Sequence, residues 1–272
     1  LGGIQNAGAG IKIGILDTGI DKDHPAFRDA SLAMPAGYPK CRQQPVNDCA
    51  WTSTKIIVAR SYVDMIAAGY TTDPAETSRP DDLTPRDRVG HGTAAATIAG
   101  GGRNTGPVTT ITGIAPKAYL GSYKIFGSPG VNDFTFGDVI IQALEDAFVD
   151  GMDIVSLSLG SPAIYGPTDT GSVCGEDAGQ ACDVRAEAVQ RAVAGGMTVV
   201  ASAGNSGDEG IEFPTLGTVA SAGTAPGAIT VGAATNSHAF FQQVRVTGGG
   251  VPSDLQRIPA LFGDGPLPSG TL

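Results

Sequence analysis

Three side chains in this sequence stand where acyl-transfer chemistry could use them. Asp17 comes at once after an apolar run, in Ile15-Leu16-Asp17-Thr18-Gly19, so its carboxylate falls at a strand's carboxyl end with a glycine-permitted turn behind it. Such a carboxylate can orient a histidine; taken alone, a turn Asp bonded to its own backbone is the commoner explanation. His91 lies in Gly90-His91-Gly92-Thr93 and is followed by Ala94-Ala95-Ala96-Thr97-Ile98-Ala99, small residues that predict a helix pressed closely on its neighbours with the imidazole at its start. An imidazole titrates near neutral pH, and a general base needs a fixed but accessible position. A plain surface His is the alternative. Neither His24, which precedes Pro25, nor His238 has comparable surroundings. Asn205, in Ala203-Gly204-Asn205-Ser206-Gly207, offers an amide that could donate to a developing oxyanion, and it also suits an ordinary turn.

The elements that must hold these residues are legible as alternating apolar runs and helical patterns. Runs at Ile11 to Leu16, Lys55 to Val63, Ala118 to Phe126, Asp153 to Leu159, Met197 to Ser202 and Ala228 to Ala233 read as buried parallel strands. Between them, Val139, Ile140, Ala143, Leu144, Ala147 and Phe148 repeat at helical spacing and Gly151 stops the run. A second helix is predicted over Val184 to Ala194, with Asp183 as N-cap and Gly195-Gly196 as terminator. The expectation is an α/β fold with a largely parallel sheet covered by helices, and a site at the strands' carboxyl ends. From Ser237 the pattern decays into Gly- and Pro-rich sequence, so residues 236–272 read as a linker or the start of another module, after a principal module at 1–235.

Composition narrows the function classes. A chain of 272 residues with 41% hydrophobic and 16% charged content can bury a sizeable core, and its 40 Gly and 18 Pro imply many shaped loops. Its net charge of −10 and lack of a Lys/Arg cluster argue against a nucleic-acid partner. No apolar run reaches the roughly 18 residues of a membrane span, and the N-terminus has no signal-peptide pattern, so the reading is a soluble piece whose export signal is already missing. The four cysteines form two local pairs, Cys41 with Cys49 and Cys174 with Cys182, each bracketing a polar loop. Disulfides, and hence an oxidising compartment (secreted, extracellular or periplasmic), are the favoured reading over reduced thiols. Zinc is weaker still, for want of ligand spacing or a nearby His.

Taken together, the motifs resemble those of the subtilisin-like serine proteases, or subtilases. The resemblance runs from about Gly10 to Thr235 through Asp17-Thr18-Gly19 with Asp21 and His24-Pro25, Gly90-His91-Gly92-Thr93, Ser156-Leu157-Ser158-Leu159-Gly160 and Ser202-Ala203-Gly204-Asn205-Ser206-Gly207, in the family's order. It implies a three-layer subtilisin-like fold and a serine endopeptidase in which Asp17 orients and charge-stabilises the imidazole, His91 is the general base and Asn205 helps form the oxyanion hole. It further implies that Ser158, Leu159 and Gly160 line the primary specificity pocket and pair their backbone with an extended polypeptide substrate by strand addition, and that Ala203 and Gly204 also bind substrate. Gly130, Val131 and Asn132 correspond more loosely to the facing edge of the cleft. A propeptide in the precursor is implied as a partner; no cofactor is needed for the chemistry, and structural calcium is common in the family but its ligands are unassigned here.

Two departures stand out. Ala94 replaces a second His that often follows the family's Gly-His-Gly-Thr. More seriously, the nucleophile motif Gly-Thr-Ser-x-Ala is absent; Gly217-Thr218-Val219-Ala220 has Val in place of Ser and reads as the loop entering the next strand. Truncation explains this most simply, because many larger subtilases carry a protease-associated domain between that strand and the serine helix. The expectation is therefore a fragment that is inactive alone. The alternatives are a catalytically dead subtilase fold that binds peptides or proteins, and, more distantly, a dinucleotide-binding protein, disfavoured because Gly8 and Gly10 precede the first strand.

Overall fold

The computed structural model describes residues 3–44, 46–68, 81–106, 109–163, 169, 171, 174–175, 177, 180–207, 218–234 and 242–260. The apolar runs become parallel strands β1 (Lys12–Asp17), β3 (Ile56–Ser61), β6 (Tyr119–Lys124), β7 (Ile154–Leu157), β8 (Thr198–Ser202) and β9 (Ile229–Val231), with the short β2 (Lys40–Cys41) added at one edge. Their order is β2-β3-β6-β1-β7-β8-β9, and every neighbouring pair runs parallel. The carboxyl ends of β1, β7 and β8 therefore share one edge of the sheet. Two further strands, β4 (Asn104–Thr105) and β5 (Thr110–Ile111), form a separate small ribbon.

Among the described residues, the α-helices are α1 (Val63–Ala68), α2 (His91–Gly100), α3 (Gly137–Val149) and α4 (Val184–Ala194). On one face, Val139, Ala143, Leu144 and Ala147 of α3 and Ala186 and Val189 of α4 pack with Leu16, Tyr123, Val155, Leu157, Val199 and Ala201 of the sheet. That is the periodic stripe meeting alternate strand positions. Asp183 caps α4 as expected, accepting the N–H groups of Arg185 and Ala186, and Gly196 takes the left-handed conformation (φ 98°) that turns the chain into β8. On the opposite face, Ile13, Ile15, Ile56 and Leu120 pack with Ala96 of α2. The small residues of α2 bring it close: a Cβ on Gly100 would stand 3.0 Å from Leu120 Cδ2.

The disulfides Cys41–Cys49 and Cys174–Cys182 are both formed, with Cα separations of 5.1 and 5.6 Å. One expectation needs correction. Residues 228–233 do not form a buried strand: β9 is the sheet edge, with Ile229 and Val231 55% and 52% exposed. They pair with Val200 and Ser202, on the face of β8 opposite Val199 and Ala201, and the helix on that face, α2, packs on β1 and β6 instead. The tail contains regular structure of its own. Contacts group the chain into units Leu1–Gly232 and Ala233–Leu272, and the second contains the antiparallel strands β10 (Gln242–Arg245) and β11 (Arg257–Ala260). His238 and Gly217 lie outside the described residues.

Candidate active site

At the end of β1, Asp17 is buried to 1% exposure. Its Oδ1 accepts the backbone N–H of Thr18 at 2.7 Å and lies 2.7 Å from Nδ1 of His91. An ionised carboxylate can only accept, so the pair fixes the imidazole proton on Nδ1 and leaves the Nε2 lone pair as the basic position. The His91 side chain is 55% exposed against 2% for that of Asp17. The pair thus has one end in the protein and the other in solvent. Burial raises the pKa of Asp17, an effect only partly offset by the hydrogen bonds from His91 and Thr18. The ends of β1 and α2 meet through two glycines. A Cβ on Gly92 would overlap the carbonyl oxygen of Gly19, and one on Gly19 (φ 102°) would come 2.5 Å from the carbonyl oxygen of Pro85.

Asn205 is exposed in the loop that leaves β8, at the same edge of the sheet as Asp17 and two strands away. The chain reaches it through Gly204, which is left-handed (φ 87°). Ser158, Leu159 and Gly160 follow β7 directly, and the two loops are tied: Ser202 Oγ donates to the Leu159 carbonyl at 3.2 Å, and the Ala220 N–H to the Ala203 carbonyl at 3.0 Å. The Ala220 methyl packs between them, since Cβ atoms on Gly160 and Gly204 would lie 2.5 and 2.9 Å from it. Ser158–Gly160 and Ala203–Gly204 are therefore two walls joined by Ala220.

The loop holding Gly130, Val131 and Asn132 is braced from inside. Asp81 accepts the Ser128 N–H at 3.1 Å and the Asn132 side-chain amide at 2.9 Å, while Gly127 N–H donates to the Asn132 carbonyl at 2.7 Å. Asn132 is only 3% exposed. Its amide is engaged in shaping the loop, which leaves the exposed Gly130 and the half-buried Val131 as the surface this segment can offer.

Comparison with known proteins now bears on this geometry. A family model described as the subtilase family matches residues 8–256. This chain belongs to the subtilase family. Among curated relatives from Arabidopsis thaliana, it is 32% identical over 249 residues to subtilisin-like protease SBT3.6, a match covering 86% of this chain and 29% of the relative. It is 31% identical over 257 residues to subtilisin-like protease SBT1.4, covering 90% of this chain and 29% of the relative. The chain thus spans under a third of the length of the curated subtilases it matches. A solved psychrophilic protease aligns at 25% identity and TM-score 0.42, over 74% of this chain and 47% of that one.

In this subtilase, Asp17 and His91 are in contact, and the Asn205 and Ser158–Gly160 loops lie at the same sheet edge. Sequence reasoning passed over the loop 81–90 that shapes both sides. Beyond Asp81, it contains Asp87, a buried acceptor, and it is anchored by Lys124, whose fully buried ammonium donates to the Arg86 carbonyl at 2.7 Å. Burial lowers the pKa of Lys124, against the pull of Asp82, Asp81 and Asp87. Calcium ligands stay unassigned: among the described residues, no group of three or more His, Cys, Asp or Glu side chains could hold a metal ion.

Proposed function

We propose that this chain is the Asp- and His-bearing part of a secreted serine endopeptidase whose nucleophilic serine lies outside residues 1–272. The observation that carries the reading is the Asp17–His91 pair, buried at its carboxylate end and open at Nε2. In such an enzyme Nε2 takes the proton as the serine oxygen attacks the scissile carbonyl, and returns it to the leaving amine when the acyl-enzyme forms. Water then enters by the same route. Asp17 keeps Nδ1–H in place throughout and stabilises the imidazolium. The half-exposed Ile229 and Val231 support a missing segment, because a further helix on that sheet face would cover them.

The Asn205 amide is the proposed oxyanion donor, and Asn205→Ala in the serine-containing polypeptide should lower kcat about 10²- to 10³-fold with little change in KM. A selective rise in KM would move Asn205 from the chemistry to substrate binding. The substrate is proposed to be an extended polypeptide that pairs with the chain past β7 and faces Gly130 and Val131. The precursor is proposed to carry a propeptide. The two disulfides support a location outside the cytoplasm, and no described helix is long and apolar enough to cross a membrane.

A serine-directed aryl phosphonate tests the central claim. In the extended polypeptide, mass spectrometry should find the adduct on a serine beyond residue 272, while the present chain stays unlabelled. An adduct on a serine within residues 1–272 would overturn the assignment of the nucleophile, and an extended, folded protein that never labels would favour a binding role for the fold.

A further inference from the structure

We propose that Asp87 is a positioning residue that locks the start of α2 to the end of β1, and so sets the separation and orientation of Asp17 and His91. The proposal deepens the protease reading above and rests on it for its significance.

The need for such a lock follows from how little else holds the imidazole. His91 is more than half exposed and bonded through Nδ1, so its pairing with Asp17 depends on where the backbones of β1 and α2 place the two Cα atoms. The N-cap of α2 is Gly90, in the left-handed conformation (φ 96°), with no side chain to close the helix. Asp87 does that work from three residues upstream. Its Oδ1 accepts the N–H groups of Val89 and Gly90, both at 2.8 Å; its Oδ2 accepts the Thr93 N–H at 2.9 Å and the Thr93 hydroxyl at 2.6 Å.

A cap alone would only stabilise a helix. What makes Asp87 a positioning residue is a fifth donor from another element. Thr18, next to Asp17, donates its hydroxyl to Asp87 Oδ1 at 2.9 Å, and the same hydroxyl oxygen accepts the Gly92 N–H at 2.9 Å. A closed ring thus runs from Asp87 through Thr18 to Gly92 and Thr93 and back. The two residues that must meet, Asp17 and His91, are each covalently next to a member of it. Asp87 is 8% exposed. Burial works to raise its pKa, but the hydrogen bonds from Thr93, Gly90 and Val89 outweigh this and hold it below the usual carboxylate range, which keeps it an acceptor for all five donors. An amide at this position cannot do the same, because one of its two ends would present N–H groups to donors.

The test reads the imidazole itself and needs no turnover. Two-bond ¹H–¹⁵N correlation spectra of the present chain near neutral pH should show His91 with its proton on Nδ1. In Asp87→Asn, the ring should lose that preference and revert to the tautomer mixture of a free imidazole. Thr18→Val should do the same while leaving the four contacts of Asp87 with α2 and its approach intact, and it carries the test if Asp87→Asn does not fold. Asp82→Asn is the structural control. Asp82 braces the same loop through Thr84 and Arg88 but does not bond to the Asp87 ring, so its spectrum should keep the Nδ1–H tautomer. Retention of that tautomer in Asp87→Asn or in Thr18→Val would overturn the proposal, as would its equal loss in Asp82→Asn or its absence from the unaltered chain. Failure of the protease reading would appear instead as absent phosphonate labelling of the extended polypeptide, with these spectra unchanged.

Discussion

Replacing His91 by Ala in the polypeptide extended through its serine should lower kcat for peptide hydrolysis by about 10⁶-fold, the order of loss when the base is removed from a triad that acts as a unit. The residual rate, from oxyanion stabilisation and binding, should still exceed that of water by about 10³-fold. The present chain should not approach the full rate, because a base with nothing to deprotonate makes no acyl-enzyme. The decisive comparison sets the extended protein, its His91→Ala variant and the present chain against one peptide library at neutral pH. Turnover by the present chain that His91→Ala abolishes would place the nucleophile within residues 1–272.

A second large effect concerns Asp17, and here the geometry distinguishes two substitutions. Asp17→Ala in the extended protein removes both the acceptor and the charge, and should cost about 10⁴-fold in kcat. Asp17→Asn should cost measurably less. The Thr18 N–H and His91 Nδ1 converge on the same oxygen, Oδ1, so the asparagine carbonyl is drawn to that site and still accepts from Nδ1–H. Its amide then takes the place of Oδ2, a buried atom with no hydrogen-bond partner among the described residues, where an unsatisfied donor costs about 1–3 kcal/mol of stability. Asn thus preserves the tautomer but loses the charge that stabilises the imidazolium. Steady-state kcat for both variants, with urea unfolding midpoints beside them, checks this. Equal losses would mean that the asparagine turns its amide toward His91.

The contrast between Asp17 and Asp87 shows what a sequence can disclose. Asp17 ends an apolar run and precedes a glycine, and His91 opens a run of small residues, so each could be placed on an element and given a role before the fold was known. Asp87 offered nothing comparable. Four of its five hydrogen bonds go to its own loop and helix start, three of those donors being plain N–H groups of Val89, Gly90 and Thr93, and its long-range partner among the described residues is 69 positions away at Thr18. Backbone donors leave no pattern in residue types. β9 illustrates a different blind spot. Its apolar character was visible, yet burial depends on what lies over each sheet face, and α2 packs chiefly on β1 and β6 there. The walls joined by Ala220 were half legible: the glycines marked the loops, but the methyl between them was evident only in three dimensions.

The position of β1 in the middle of the sheet also governs the order in which this protein can assemble. The strand that ends in Asp17 precedes the other strands of this sheet in the chain, but its neighbours are β6 and β7, so Lys12 waits for Tyr119 and Ile13 for Ile154. Until those residues have left the ribosome, an apolar segment made to be buried on both faces has no partner, and each pairing then closes a long loop of chain. Such non-local parallel pairing is intrinsically slow and leaves the nascent chain open to aggregation. The central strand that carries Asp17 is thus, during synthesis, a segment that a chaperone would protect until its partners emerge.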